Sequence, residues 1–218
     1  MKTDIQLQQT VMEELKWEPS VKAAQVGVAV KGGVVTLSGT VDTYAQKFAA
    51  ERAAERVAGV RAIAEELAVV ATGEYNRSDA DIARAAATAI VWDVEVPTDR
   101  VQVVVQHGWV TLEGNVEWFY QKAAAERAVR YLTGVKGVTN MIAVLPAPVK
   151  ASDVKAKIEA ALKRSAEIDA DKIHVDTHDG SVTLSGSVRT RAEREDAERA
   201  AWSAPGVKFV KDDLKLPI

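Results

Sequence analysis

The chain has 218 residues, 47% apolar and 27% charged, a balance that builds packed cores and excludes a disordered chain. Its 28 lysines and arginines are interspersed with 31 aspartates and glutamates, for a formal net charge of -3, so no basic field draws in a nucleic-acid backbone. There is no cysteine, which excludes disulfides and zinc-thiolate sites.

In chain order, Leu7, Val11 and Leu15 recur at four-residue spacing and predict a leading helix. Its segment, MKTDIQLQQTVMEELKW, has an early aspartate and no apolar run long enough for a signal-peptide core. Nothing downstream approaches a membrane span, so a cytoplasmic location is expected. Val26, Val28 and Val30 then alternate as in a half-buried strand, and Val35, Leu37 and Val41 do so again. Between them Gly32-Gly33 suits a two-residue hairpin turn that needs positive φ. Thr43 with Gln46 offers a helix cap, and Ala50, Ala53, Ala54 and Val57 line one helical face. Gly59 ends that helix, and Val60, Ile63, Leu67 and Val69 predict a last strand. Glu65 falls on its apolar parity, so a bulge or a late strand start is expected there.

This plan is then written twice more. GGVVTLSGTV, HGWVTLEGNV and DGSVTLSGSV place Gly33, Gly108 and Gly180 in register as turn glycines, at intervals of roughly 75 and 72 residues, the size of a small domain. AAERAAERVAGV, AAERAVRYLTGV and DAERAAWSAPGV follow at nearly the same distance. The leading helix recurs as Ile82, Ala86, Ile90 and as Val154, Ile158, Leu162, the cap as Thr190 with Glu193, and the misplaced polar residue as Asn140 and Asp212. The fold class is therefore α+β: three tandem αββαβ domains, at 1–72, 78–146 and 152–218, each with two helices packed on one face of a three-stranded mixed sheet. Units this small are near the limit for folding alone, so the copies are expected to pack on one another.

The glycine turn, the V-T-L-x-G-x-V strand and the alanine-rich helix ending in G-V resemble the BON domain, named for bacterial osmotically inducible and nodulation proteins. The resemblance covers essentially the whole chain. It implies a non-catalytic module, without a cofactor, that binds phospholipid or envelope surfaces, often under osmotic or other stress, with chaperone-like protein binding in some members. Many relatives are exported, so a periplasmic location is the alternative to a cytoplasmic one.

No catalytic constellation can be nominated. His174 and His178 flank Asp176 on the outward parity of one strand, a geometry open to a surface metal, but the plain reading is a solvated polar face and no metal ligand is assigned. Ser38 and Ser185 belong to T-L-S-G, where the middle copy has Glu113. The glycine turns precede a strand and not a helix, so they are read as hairpins rather than phosphate loops.

What the copies share specifies the fold, so function is sought where they differ. The middle copy differs in its aromatics. Trp109 stands where the others have Val34 and Ser181, and Trp118 and Phe119 stand where they have Thr43 and Tyr44, or Thr190 and Arg191. Trp92, matched by Trp17 and Arg164, lies at the end of a leading helix, off its apolar stripe. Trp92, Trp109, Trp118 and Phe119 are the candidate binding residues, for anionic phospholipid headgroups or for a protein partner. Burial between the copies is the alternative for the same side chains. Lys155, Lys157, Lys163 and Arg164 make the third leading helix basic, a solvated face or a secondary anionic-lipid contact.

Overall fold

The computed structural model describes residues 2–71, 73–147, 151–165 and 168–216. In the first copy α1 (Asp4–Trp17), β1 (Val26–Lys31), β2 (Val34–Val41), α2 (Tyr44–Arg56) and β3 (Ala62–Val69) follow in that order. The second has α3 (Asp79–Trp92), β4 (Val101–Gln106), β5 (Trp109–Val116), α4 (Phe119–Arg130), β6 (Gly137–Asn140) and β7 (Ala143–Val144), and the third α5 (Ala151–Arg164), β8 (Ile173–His178), β9 (Ser181–Ser187), α6 (Arg191–Trp202) and β10 (Phe209–Lys215). In each, the hairpin is antiparallel and the last strand joins the second hairpin strand in parallel, giving a mixed sheet.

Three separate cores result. Leu7, Val11 and Leu15 of α1 meet Val35, Leu37 and Val41 of β2 and Ala50, Ala53 and Ala54 of α2, all buried, and the other two copies repeat this with their equivalents, except that Ala128 and Ala200 in place of Ala53 are only partly buried. Alanine on the second helix lets it lie close on the sheet, while the leading helix supplies the larger side chains. The turn residues carry positive φ, 53° at His107 and 81° at Gly108, as a turn of the primed kind needs. The leading helix holds the hairpin by its first turn: Asp79 accepts the N–H groups of His107 (2.7 Å) and Gly108 (2.8 Å), and Asp4 those of Gly32 and Gly33. Those two bonds hold the Asp79 carboxyl below the usual range.

The expected bulge at Glu65, Asn140 and Asp212 is absent. β3 and β10 keep one register throughout, and in the second copy the last strand is merely divided at Met141 and Ile142, with β7 resuming the register of β6. The polar side chains stay on the apolar parity because each is satisfied there. Glu65, Asn140 and Asp212 accept the N–H groups of Leu67, Ile142 and Leu214, two residues on. Each is also tied to the second helix, through the Lys47 ammonium (2.5 Å), the Lys122 carbonyl (2.8 Å) and the Arg194 guanidinium.

The caps form as expected, Thr43 accepting from Gln46 N–H and Thr190 from Glu193 N–H. Glu193, nearly buried, also accepts the N–H groups of Asp169 and Arg189. Burial alone would raise its pKa, but these bonds and the Arg189 guanidinium outweigh it and the net shift is downward. A lowered carboxylate contributes stability above its unfolded pKa and loses it as pH falls through the folded value. Glu193→Gln, which installs the residue found at Gln46 and Gln121, is therefore expected to destabilise the third domain at neutral pH. The difference from the parent should shrink as pH drops below about 4.5; urea unfolding between pH 3 and 7 checks this, and a constant difference would refute it.

Candidate binding surfaces

The second helices of the three copies meet one another, and the contacts follow a cyclic rule. Tyr44, Phe119 and Arg191 are equivalent positions, as are Phe48, Ala123 and Glu195, then Arg52, Arg127 and Arg199, then Glu55, Arg130 and Trp202. Tyr44 of the first domain packs on the core of the second, and Phe48 carries the Arg130 guanidinium 3.5 Å above its ring. Phe119 of the second stacks on Trp202 of the third, centroids 4.9 Å apart and planes 12° from parallel. Arg191 of the third reaches back to Glu55 of the first at 3.2 Å, and Glu195 pairs with Arg52. Each domain thus offers the start of its second helix to the end of the next, and the third returns to the first. The ring is closed, with approximate threefold symmetry.

A central cavity of about 530 Å³ is lined by Phe48, Ala123 and Glu195 and by Arg52, Arg127 and Arg199, so both sets of equivalents face one axis. The seams differ in chemistry. The first is aromatic and cationic, and burial there raises the Tyr44 hydroxyl pKa. The third is ionic around Glu55, only 5% exposed. Burial and the neighbouring Glu55 and Glu65 charges raise the Glu51 carboxyl beside it. The second seam leaves a cavity of about 720 Å³ among Trp118, Phe119, Tyr120, Ala123 and Trp202, with Arg127, Arg199 and Glu95 at its edge. A further cleft of about 730 Å³ lies beside the first hairpin turn, between Lys2, Arg61 and Arg189, and has no aromatic lining.

The four candidate binding residues fall in three places. Trp118 and Phe119 are half-buried at the second seam. Trp109, at the other end of β5 across roughly 23 Å of strand, lies on the open sheet face, its Nε1–H donating to Thr139 Oγ1 at 2.7 Å and its ring over Gly137. Trp92, at the end of α3, is 82% exposed beside exposed Val91 and Val94. Trp17, its equivalent at the end of α1, is 84% exposed, and Arg164 holds the same place at the end of α5 and is exposed too. His174, Asp176 and His178 point outward from β8, and among the described residues no three side chains converge on a metal position. No described helix is long and apolar enough to cross a membrane.

Of the helix stripe at positions 44, 48, 52 and 55, which makes the seams, the sequence points only to Phe119, at the position of Tyr44. The signal of the stripe is a second face on each second helix, offset from the alanine face and richer in aromatic and charged groups than a solvated face requires.

A family model for the BON domain matches residues 3–71, 78–146 and 150–217. The chain belongs to the BON-domain family. Its three BON domains are also similar to the osmotically-inducible protein Y of Escherichia coli, 34% identical over 153 residues, spanning 66% of this chain and 74% of that protein. Among solved structures, CdsD, a structural protein of the type III secretion system of Chlamydia trachomatis, aligns over 96% of this chain and 91% of its own at 14% identity and a TM-score of 0.28. Its C-terminal domain aligns over the full length of both chains at 15% identity and a TM-score of 0.27.

Proposed function

We propose that this BON-domain protein is a non-catalytic binding module that docks on anionic phospholipid surfaces, in a response to osmotic stress as the name of its relative in Escherichia coli suggests. The observation that carries the reading is the pair Trp17 and Trp92. Each is more than four-fifths exposed, at equivalent corners of the ring, and Arg164 occupies the third corner. In a ring of approximate threefold symmetry, equivalent positions lie at one height along the axis. Two indoles and a guanidinium exposed at one height suit the headgroup region, where an amphipathic ring lies between water and acyl chains and a cation meets lipid phosphate. Leaving two tryptophans in water has no folding benefit, whereas burying each in the interface recovers roughly 2 kcal/mol.

Sedimentation with vesicles tests this. Phosphatidylglycerol-containing vesicles are expected to bind the protein more tightly than phosphatidylcholine vesicles, and increasingly so as salt is lowered. Trp17→Ser with Trp92→Ser should weaken binding about a hundredfold, while Trp109→Ser, on the sheet face, should leave it intact. Absence of binding to any vesicle would overturn the reading in favour of a protein-binding scaffold.

A further inference from the structure

We infer that the seam between the second and third domains is a binding site for a small planar aromatic anion, such as an aromatic carboxylate. The argument comes from the ring's approximate symmetry. At equivalent positions the three copies place different groups into equivalent space. The first seam receives the phenyl ring of Phe48, covered by a guanidinium at 3.5 Å, and the third receives the carboxylate of Glu195, paired with Arg52. At that position the second seam has only the methyl group of Ala123, and Trp202, the equivalent of Arg130, is covered by Phe119 instead.

Beside that methyl group lies the cavity of about 720 Å³, within the range of small-molecule sites and at a domain boundary where such sites are common. Its walls match both of the groups that the other seams supply. Trp118, Phe119 and Trp202 line it with apolar aromatic surface, the last two held in place by stacking on each other. Arg127 and Arg199 stand at the edge, equivalent to the Arg52 that binds Glu195 across the third seam. Each makes one ion pair, Arg127 with Glu95 at 2.5 Å and Arg199 with Asp196 at 2.9 Å, and both remain more than half exposed, which leaves guanidinium N–H groups turned to solvent. The occupant that completes the pattern carries a planar aromatic body and an anionic group on one small molecule. Binding it would tie the second domain to the third and tighten the ring.

The test is titration of the full chain with 2-naphthoate, followed by quenching of tryptophan emission, since Trp118 and Trp202 line the cavity. Saturable binding at one molecule per chain is expected, about tenfold tighter than for the uncharged 2-naphthalenemethanol. Ala123→Phe, which installs the Phe48 ring at the second seam, should weaken 2-naphthoate binding at least about tenfold. Arg127→Gln with Arg199→Gln, both at exposed positions, should remove the preference for the anion while leaving the alcohol bound. Equal affinity of A123F and the parent would overturn the site, as would the absence of saturable binding. Should A123F not fold, an anion preference that persists in the double arginine variant overturns it equally.

Discussion

Gly114→Ala is expected to unfold the second domain. Gly114 has φ +128°, and a Cβ there would lie 1.9 Å from the carbonyl oxygen of Arg100. That oxygen cannot retreat, because it accepts the Asn115 N–H at 3.2 Å where β4 begins against β5. The backbone conformation alone costs alanine roughly 1–3 kcal/mol. Relieving the overlap breaks the start of the hairpin ladder, bringing the total to at least about 4 kcal/mol, most of the stability of a domain this size. Gly39 and Gly186 repeat the geometry, with backbone oxygens 2.2 and 2.0 Å from the added carbon. Gly32→Ala is the control, at φ +58° with open space around it, and should cost about 1 kcal/mol. Urea unfolding of both variants measures the contrast; a G114A protein within 1 kcal/mol of its parent would show that the strand can shift.

The second large effect concerns ring closure. Glu55 is nearly buried and accepts from Arg191 of the third domain, through Nε at 3.3 Å and Nη2 at 3.2 Å, and from Arg52 of its own helix at 3.2 Å. Arg191→Ala leaves that carboxylate with one cation in a desolvated seam, a loss of about 3 kcal/mol in coupling between the first and third domains. The cores of both domains are untouched, so each should remain folded while the ring opens. Hydrogen exchange along α2 and α6 should accelerate at unchanged secondary structure, and the radius of gyration should rise. The exchanged pair Glu55→Arg with Arg191→Glu should recover part of the coupling, since the ion pair is restored with its sign reversed. An R191A protein with unaltered exchange in both helices would mean that the Arg52 and Glu195 pair closes the ring unaided.

Much of the domain was legible because its determinants are local. Val35, Leu37 and Val41 announce a strand by alternation, His107-Gly108 a turn by its need for positive φ, and Ala50, Ala53 and Ala54 a packed helix face by spacing. Glu65, Asn140 and Asp212 misled because a polar residue on an apolar parity looks like a register fault, whereas each accepts an N–H two residues on and reaches the helix above. The aromatics of the middle copy were legible as a difference but not as a place. Phe119 points away from its own core, as its equivalents Tyr44 and Arg191 imply, yet it lies against Trp202, 83 residues on.

The sequence by itself determined that three αββαβ units exist, where each hairpin turns and which helix faces are apolar, because turn chemistry and hydrophobic period act within a few residues. Only the tertiary structure decided that the units close a ring, that Tyr44, Phe119 and Arg191 serve as three chemically different keys to one kind of seam, and that Trp17 and Trp92 remain in water. Those outcomes depend on which surfaces meet across separations of more than 70 residues. Shape and charge complementarity settle such meetings after the domains have formed, and no local period encodes them.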